Sequence, residues 1–444
     1  MLEKKKLSKN PINKLVGFFC VILFNIKIIS FDWSGFMDTG STAFILICSA
    51  MVCLMTPALA FFYGGLGRRK NVINTMMMSV LPLAIASLLW VVAGYSLSFG
   101  GQGYFFGNIS HLFLHGVSET TSSRGLAITD LLFSAFQMMF SIICVAILTG
   151  SVVGRMRFTP LAIFIVFWLL LVYYPFAHMV WGDGILVKWG TIDFAGGDVV
   201  HITSGVSALV LAIVVGKRRD YGILEHRPHN VPFVLLGAGL LWFGFNAGSA
   251  LAANGLAVHA LVTTHVSAAA AMFSWLALEK YVTGHPTLVG ASTGLVAGLV
   301  AITPGAGFVS IWSSILIGAM VSPVCFYAIS VLKKHTDYDD ALDVFGCHGV
   351  GGIFGGLCTA VFTTPNLALD KANFGLIYGN ARLFVVTVLA IVFTVTWSGL
   401  VTYGIIKVIG HYIPLRVSDR DEAIGLDDCE HKETAYPTFM GMDS

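Results

Sequence analysis

Long apolar runs alternate with short stretches that carry nearly all of the charge in this chain. Runs near or above the roughly 20 residues that a helix needs to cross hydrocarbon recur at about 41–64, 72–99, 127–150, 158–181, 193–216, 231–252, 257–279, 286–305, 309–333, 343–363 and 381–411. The pattern predicts an all-α polytopic membrane protein: eleven transmembrane helices within a domain spanning 35–411, then a polar tail over 412–444. Ahead of the first run, Lys4-Lys5-Lys6 and the short apolar stretch Leu15 to Ile29 have the form of a signal peptide over residues 1–30. No clear Ala-x-Ala site follows, so a retained extra helix or a misassigned start codon remains the alternative.

Composition narrows the class. Of 444 residues, 56% are hydrophobic and 11% charged, and the mean hydropathy of +0.81 excludes an ordinary soluble domain. A net charge of +2 gives no reason to expect nucleic acid as a partner. Cys20, Cys48, Cys53, Cys144, Cys325, Cys347 and Cys358 lie in apolar segments as small core residues, outside any disulfide or zinc spacing. No P-loop or HExxH element occurs, and neither an enzyme nor a cofactor is expected.

Basic residues in short loops favour the cytoplasm. Arg68-Arg69-Lys70, Arg155 with Arg157, Lys217-Arg218-Arg219, Lys280 and Lys333-Lys334 all fall after odd-numbered runs, whereas the opposite loops hold only Arg124, Lys188, Lys371 and Arg382. This predicts an outside N-terminus, a cytoplasmic tail and a multi-pass place in the cell (inner) membrane. Five helices per half make runs 1–5 and 6–10 enter from opposite sides, the inverted repeat many transporters use.

Two histidines inside those runs carry the candidate chemistry. His201 follows Asp193-Phe194-Ala195-Gly196-Gly197, and His348 follows Asp343-Val344-Phe345-Gly346. Ionisable groups at membrane depth are costly and usually face a polar path, although a lone histidine also serves as a hydrogen-bonded core residue. With Asp193 on the fifth helix, His201 would lie eight residues deeper, about 12 Å at helical rise. Asp193 is positioned to cap that helix through backbone N–H groups and to add negative potential near an incoming cation. Phe245 and Ser249, four apart, share a helical face. His111 and His115 have metal-ligand spacing without a third ligand nearby, and His259 and His265 read as packing.

Several of these segments together resemble the ammonium transporter family (Amt/Mep/Rh). They are Asp193 to Ile202 running on to Gly216-Lys217-Arg218, Phe62-Tyr63-Gly64-Gly65, Ala177-His178-Met179-Val180-Trp181-Gly182, Trp242 to Ser249, and Asp343 to Gly349. The similarity extends from about residue 35 to Gly425-Leu426-Asp427. It implies a homotrimer with one path per subunit and ammonium or methylammonium as the cargo. It further implies an external recruitment site of Phe140, Trp181 and Ser249, with Asp193 as its electrostatic counterweight, a gate of Phe140 and Phe245, and a pore lined by His201 and His348. Read by position alone, Trp181 is an interfacial belt residue and Phe140 a core aromatic. Bacterial relatives meet PII signal-transduction proteins at the cytoplasmic face. Alternatives within the family's range are an ammonium sensor with little flux and a passive ammonia channel; Phe140, Trp181 and Ser249 favour the Amt branch.

The chemistry stands beside the resemblance. Ammonium and potassium match in charge and nearly in size, so discrimination requires N–H donors and a removable proton. Three positions depart from the family pattern: Asp198 where a small uncharged residue is usual, Asp183 in place of a common glycine, and Lys432 in place of glycine in His431-Lys432-Glu433-Thr434-Ala435-Tyr436.

Overall fold

The computed structural model describes residues 37–223, 227–241, 244–368 and 373–436. The expected signal peptide over 1–30 lies outside them. Ten helices among the described residues are long and apolar enough to cross a membrane: α1 (Thr39–Leu66), α2 (Arg69–Phe99), α3 (Asp130–Val152), α4 (Phe158–Trp189), α5 (Gly197–Val215), α6 (Val231–Gly248), α7 (Gly255–Thr283), α9 (Ile311–Thr336), α10 (Phe345–Phe362) and α11 (Ala381–Tyr412). Between α7 and α9 lies α8 (Leu288–Ile302), apolar but only 15 residues long. The apolar run at 286–305 therefore yields a helix shorter than the pattern predicts. Its end coincides with Thr303-Pro304, where proline's missing N–H and fixed ring disfavour continuation.

Packing repeats between the halves. Helix α1 lies against α2 and α3, and α2 against α3 and α4; in the same way α6 lies against α7 and α8, and α7 against α8 and α9. Helix α1 meets α6, α5 meets α10, and α11 closes over α4, α5 and α10. Irregularities repeat too. Helices α4 and α9 each contain a π-turn, at Leu169–Tyr173 and Ala328–Leu332, and α5 and α10 each open with one, at Gly197–Ile202 and Phe345–Gly349. Single π-turns frequently accompany functional sites, and the second pair contains both histidines. The outward faces are apolar: Leu46, Leu88, Phe273 and Leu400 are all more than half exposed, an arrangement suited to hydrocarbon.

At one end of the bundle, here the tail face, the loops are knitted together. Arg155 is fully buried and donates to the carbonyls of Gly216 and Asp339, while Arg218 pairs with Asp339 at 2.7 Å. The tail joins this network through a short helix, α12 (Asp419–Ile424). Asp427 accepts the Asn74 N–H at 2.9 Å and Glu430 accepts the Phe158 N–H at 3.1 Å. Both carboxylates thereby cap unsatisfied donors at helix starts, those of α2 and α4. Glu422 accepts from Arg219 N–H and Arg416. The basic loops after α1, α3, α5 and α9 thus lie at the same end as the tail.

Candidate functional site

Asp193 organises the start of α5. Its Oδ1 accepts the N–H groups of Gly196 and Gly197 at 2.7 and 2.6 Å, and its Oδ2 those of Asp198 and Val199 at 2.8 and 3.1 Å. Four N–H donors offset much of the cost of burying this carboxylate. The helix begins only at Gly197, after a turn in which Gly196 takes φ +117°. Asp193 therefore precedes α5, and the 12 Å separation from His201, which assumes continuous helix, does not apply. Capping is as expected; all four N–H bonds turn the carboxylate inward to the backbone.

Its carbonyl oxygen accepts the Trp181 Nε1–H at 2.8 Å, which fixes the indole where the Tyr174–Trp181 segment of α4 breaks off. Trp181, Phe140 and Ser249 line one cavity of about 480 Å³ at the face opposite the tail, with Gln137 and Asp183 among its other walls. The rings of Phe140 and Trp181 stand edge to face at 6.1 Å. Ser249 donates its hydroxyl hydrogen to the Phe245 carbonyl at 2.9 Å, which leaves the oxygen's lone pairs as acceptors. Directly behind, Phe245 stacks on Phe140 with ring centroids 4.3 Å apart. The two rings close the cavity's inner end.

Beyond that stack, a pocket of about 40 Å³ is lined by Phe245, His201, Asn246, Thr264 and Thr303. It has space for ammonia or a water or two, roughly, and none for a cation with its hydration shell. The His201 ring lies 6.2 Å from that of Phe245 and 5.3 Å from that of His348. The two Nδ1 atoms are 3.2 Å apart, so one donates and the other accepts. With both rings neutral, one Nε2 is then an acceptor and the other a donor. The close crossing of α5 and α10 makes this possible. A Cβ on Gly205 would meet the Gly349 nitrogen at 2.2 Å, so only glycine permits the approach. His348 and Cys347 then line a third cavity of about 230 Å³ toward the tail face, with Tyr63 and Asp343.

The structure gathers Trp181, Ser249, Phe140, Phe245, His201 and His348 along one column, whereas Asp193 lines none of its three cavities and meets it through the carbonyl that holds Trp181. It changes one pairing. Asp340, and not Asp343, is the counterpart of Asp193: its Oδ2 accepts the Phe345 N–H that opens α10 at 2.7 Å, and it precedes His348 by the same eight residues that separate Asp193 from His201. That spacing was the available signal. Asp343 instead pairs with Lys333 at 2.6 Å. Gln137, Asn246, Thr264 and Thr303 were missed, since each reaches the column from a different helix or loop.

Asp198 is buried and faces α11, its Oδ1 3.5 Å from the Thr394 hydroxyl; it lines none of the three cavities. Asp183 and Lys432 both adopt left-handed backbone, at φ +65° and +54°, which accounts for glycine in the family pattern there. His111 Nδ1 lies 2.9 Å from the His115 carbonyl and His259 Nε2 2.8 Å from that of Val309. Among the described residues, no group of three or more His, Cys, Asp or Glu side chains could hold a metal.

Comparison with known proteins now bears on this column. The chain matches the model of the Ammonium Transporter Family over residues 43–436. It belongs to the ammonium transporter family. An ammonium transporter of Bacillus subtilis is 44% identical over 91% of this chain and the whole of that protein. Among solved structures, Mep2 of Candida albicans superposes with a TM-score of 0.82 at 29% identity, covering 89% of this chain and 90% of that one. A structure titled Sensor Amt Protein reaches 0.82 at 28% identity, covering 88% and 98%. The family is one of transporters and not of enzymes, and this member is a multi-pass membrane protein.

Proposed function

We propose that this protein carries ammonium across the cell (inner) membrane by recruiting the cation outside, removing its proton, and conducting ammonia past His201 and His348 while the proton crosses separately. The observation that carries the reading is the order of the column: an aromatic cavity, a stacked phenylalanine pair, a pocket too small for a hydrated ion, then two imidazoles in hydrogen-bond contact.

In the outer cavity, Trp181 and Phe140 offer ring faces worth roughly 0.5–2 kcal/mol per cation–π contact, and the Ser249 oxygen accepts one N–H. Asp193 supplies fixed negative charge behind the site. The Phe140–Phe245 stack excludes the hydration shell. Losing that shell disfavours the charged form and lowers the pKa of an amine by several units from about 9–10, so the ion hands its proton to water in the outer cavity and neutral ammonia enters the narrow pocket. There the imidazoles alternate as donor and acceptor. Potassium has no proton to give up and stops at the stack.

This reading includes eleven membrane crossings with α8 as one, two inverted five-helix halves, an outside N-terminus and the tail face in the cytoplasm, where the basic loops gather. It extends to a signal peptide over 1–30, a transmembrane domain over 35–411, a cytoplasmic tail over 412–444, a homotrimer, and a PII protein as partner at the tail face.

Proteoliposomes adsorbed on a solid-supported membrane test it by their current on an ammonium step. Sustained charge movement supports transport, a brief binding transient alone supports a sensor, and electrical silence with pH-detected uptake supports a gas channel. His201→Asp places a carboxylate where only neutral ammonia passes and is expected to admit potassium; unchanged exclusion of potassium in that variant rejects the relay.

A further inference from the structure

Asp183 is a charged wall of the outer cavity that the reading above leaves without a task. It follows Trp181-Gly182 at the break in α4 between Tyr174–Trp181 and Ile185–Trp189, is exposed, and lines the same cavity as Phe140, Trp181 and Ser249. Its φ of +65° carries a backbone cost that glycine would not. Strain kept beside a site prompts the question of what its side chain supplies.

The cavity's charge gives the answer. Arg124 and Asp183 are the charged residues among its walls. Arg124 is held in place: Nη2 donates to the Trp181 carbonyl at 3.1 Å, and the guanidinium rests over the rings of Phe99 and Phe133 at 5.0 and 5.1 Å. That bond braces Trp181 and also sets a fixed positive charge where a cation must arrive. Asp130, the nearby acid, is buried and engaged by Ser123. Asp183 makes no ion pair among the described residues, so its charge remains available to the cavity. Without it the walls would carry a net positive charge.

We propose that Asp183 is a cation-positioning residue of the outer cavity, offsetting Arg124 and drawing ammonium onto the Trp181 and Phe140 faces. This rests on the recruitment reading above. A unit charge on the order of 7 Å from the cation changes its occupancy roughly threefold at the dielectric of water, and by more as the effective dielectric falls toward that of a protein surface. An exposed charge is screened, so the effect shrinks once the Debye length drops from about 30 Å at 0.01 M salt to about 3 Å at 1 M.

The test is an ammonium titration of current from proteoliposomes in dilute and in concentrated sodium chloride. Asp183→Asn is expected to raise the half-saturating ammonium concentration roughly threefold or more in dilute salt, with saturating current unchanged and the difference gone in concentrated salt. Asp183→Gly, which also relieves the backbone, should shift by the same factor, and Asp183→Glu should stay near wild type. An Asp183→Asn titration that matches wild type in dilute salt, or a shift that persists undiminished in concentrated salt, overturns the inference. Trp181→Ala separates the two levels: if it too leaves half-saturation unchanged, the recruitment reading itself fails, whereas a loss there beside an unaffected Asp183→Asn removes only the role of Asp183.

Discussion

Each half of the molecule opens its fifth helix in the same way, with an aspartate and then a π-turn that contains the histidine eight residues on, yet the two aspartates are held very differently. Asp193 has both oxygens saturated by four backbone N–H groups. Asp340 receives bonds from Val344 and Phe345, and its buried Oδ1 has no hydrogen-bond partner. Around Asp193 the chain forms a rigid turn that also seats Trp181. Around Asp340 lie Lys333 and Asp343, and Asp340 itself is fully buried, next in the chain to the Ala341–Val344 segment that lines the tail-side cavity. One spacing serves two tasks: the first unit fixes the mouth, and the second buries a titratable acid behind the loop that borders the tail-side cavity.

Removing the carboxylates breaks this comparison most severely. Asp193→Ala strands four buried N–H donors, each at about 1–3 kcal/mol, a sum comparable to the whole stability of many folds. Little folded protein should survive extraction and size exclusion. Asp340→Ala strands two donors and should fold, with a lowered melting temperature. Equal behaviour of the two variants would erase the difference drawn here.

A pH series sharpens it. Burial, with Asp343 adding to it against Lys333, pushes the Asp340 carboxyl up to about 6. The unfolded chain releases that proton near pH 4, so between about 4 and 6 the folded protein binds the extra proton and stability declines as pH rises, by about 3 kcal/mol across the window. Asp340→Asn should flatten that slope in a detergent melting assay. Parallel profiles for variant and wild type would show that this acid does not titrate in the window.

The smallest effect compares strain at the two ends. Asp183 and Lys432 both hold left-handed backbone, and glycine at either should stabilise by about 0.5–1 kcal/mol, read as a small rise in melting temperature. A fall at Lys432 would mean that its side chain contributes more than its backbone costs.

Much of this column is legible in the sequence because its signals are local. Ser249 and Phe245 meet through a four-residue spacing, and the apolar runs around His201 and His348 set their depth. Residue type, aspartate then aromatic then glycine, singles out Asp343, whereas the eight-residue interval to the histidine singles out Asp340. The turn at Gly196 escaped because helical spacing was carried back through Asp193. A run of apolar residues also says nothing of where proline stops it, hence the short α8. Asn246, Thr264 and Thr303 meet around one pocket from distant parts of the chain, and no local pattern encodes that meeting.

The clasp at the tail face bears on how the protein is made. Asp427 and Glu430 cap helices whose first turns precede them by 353 and 272 residues. At ordinary ribosome speeds, that leaves α2 and α4 without those partners for on the order of tens of seconds. A nascent chain severed after α11 would carry all ten long apolar helices among the described residues and still leave those amide donors without their caps.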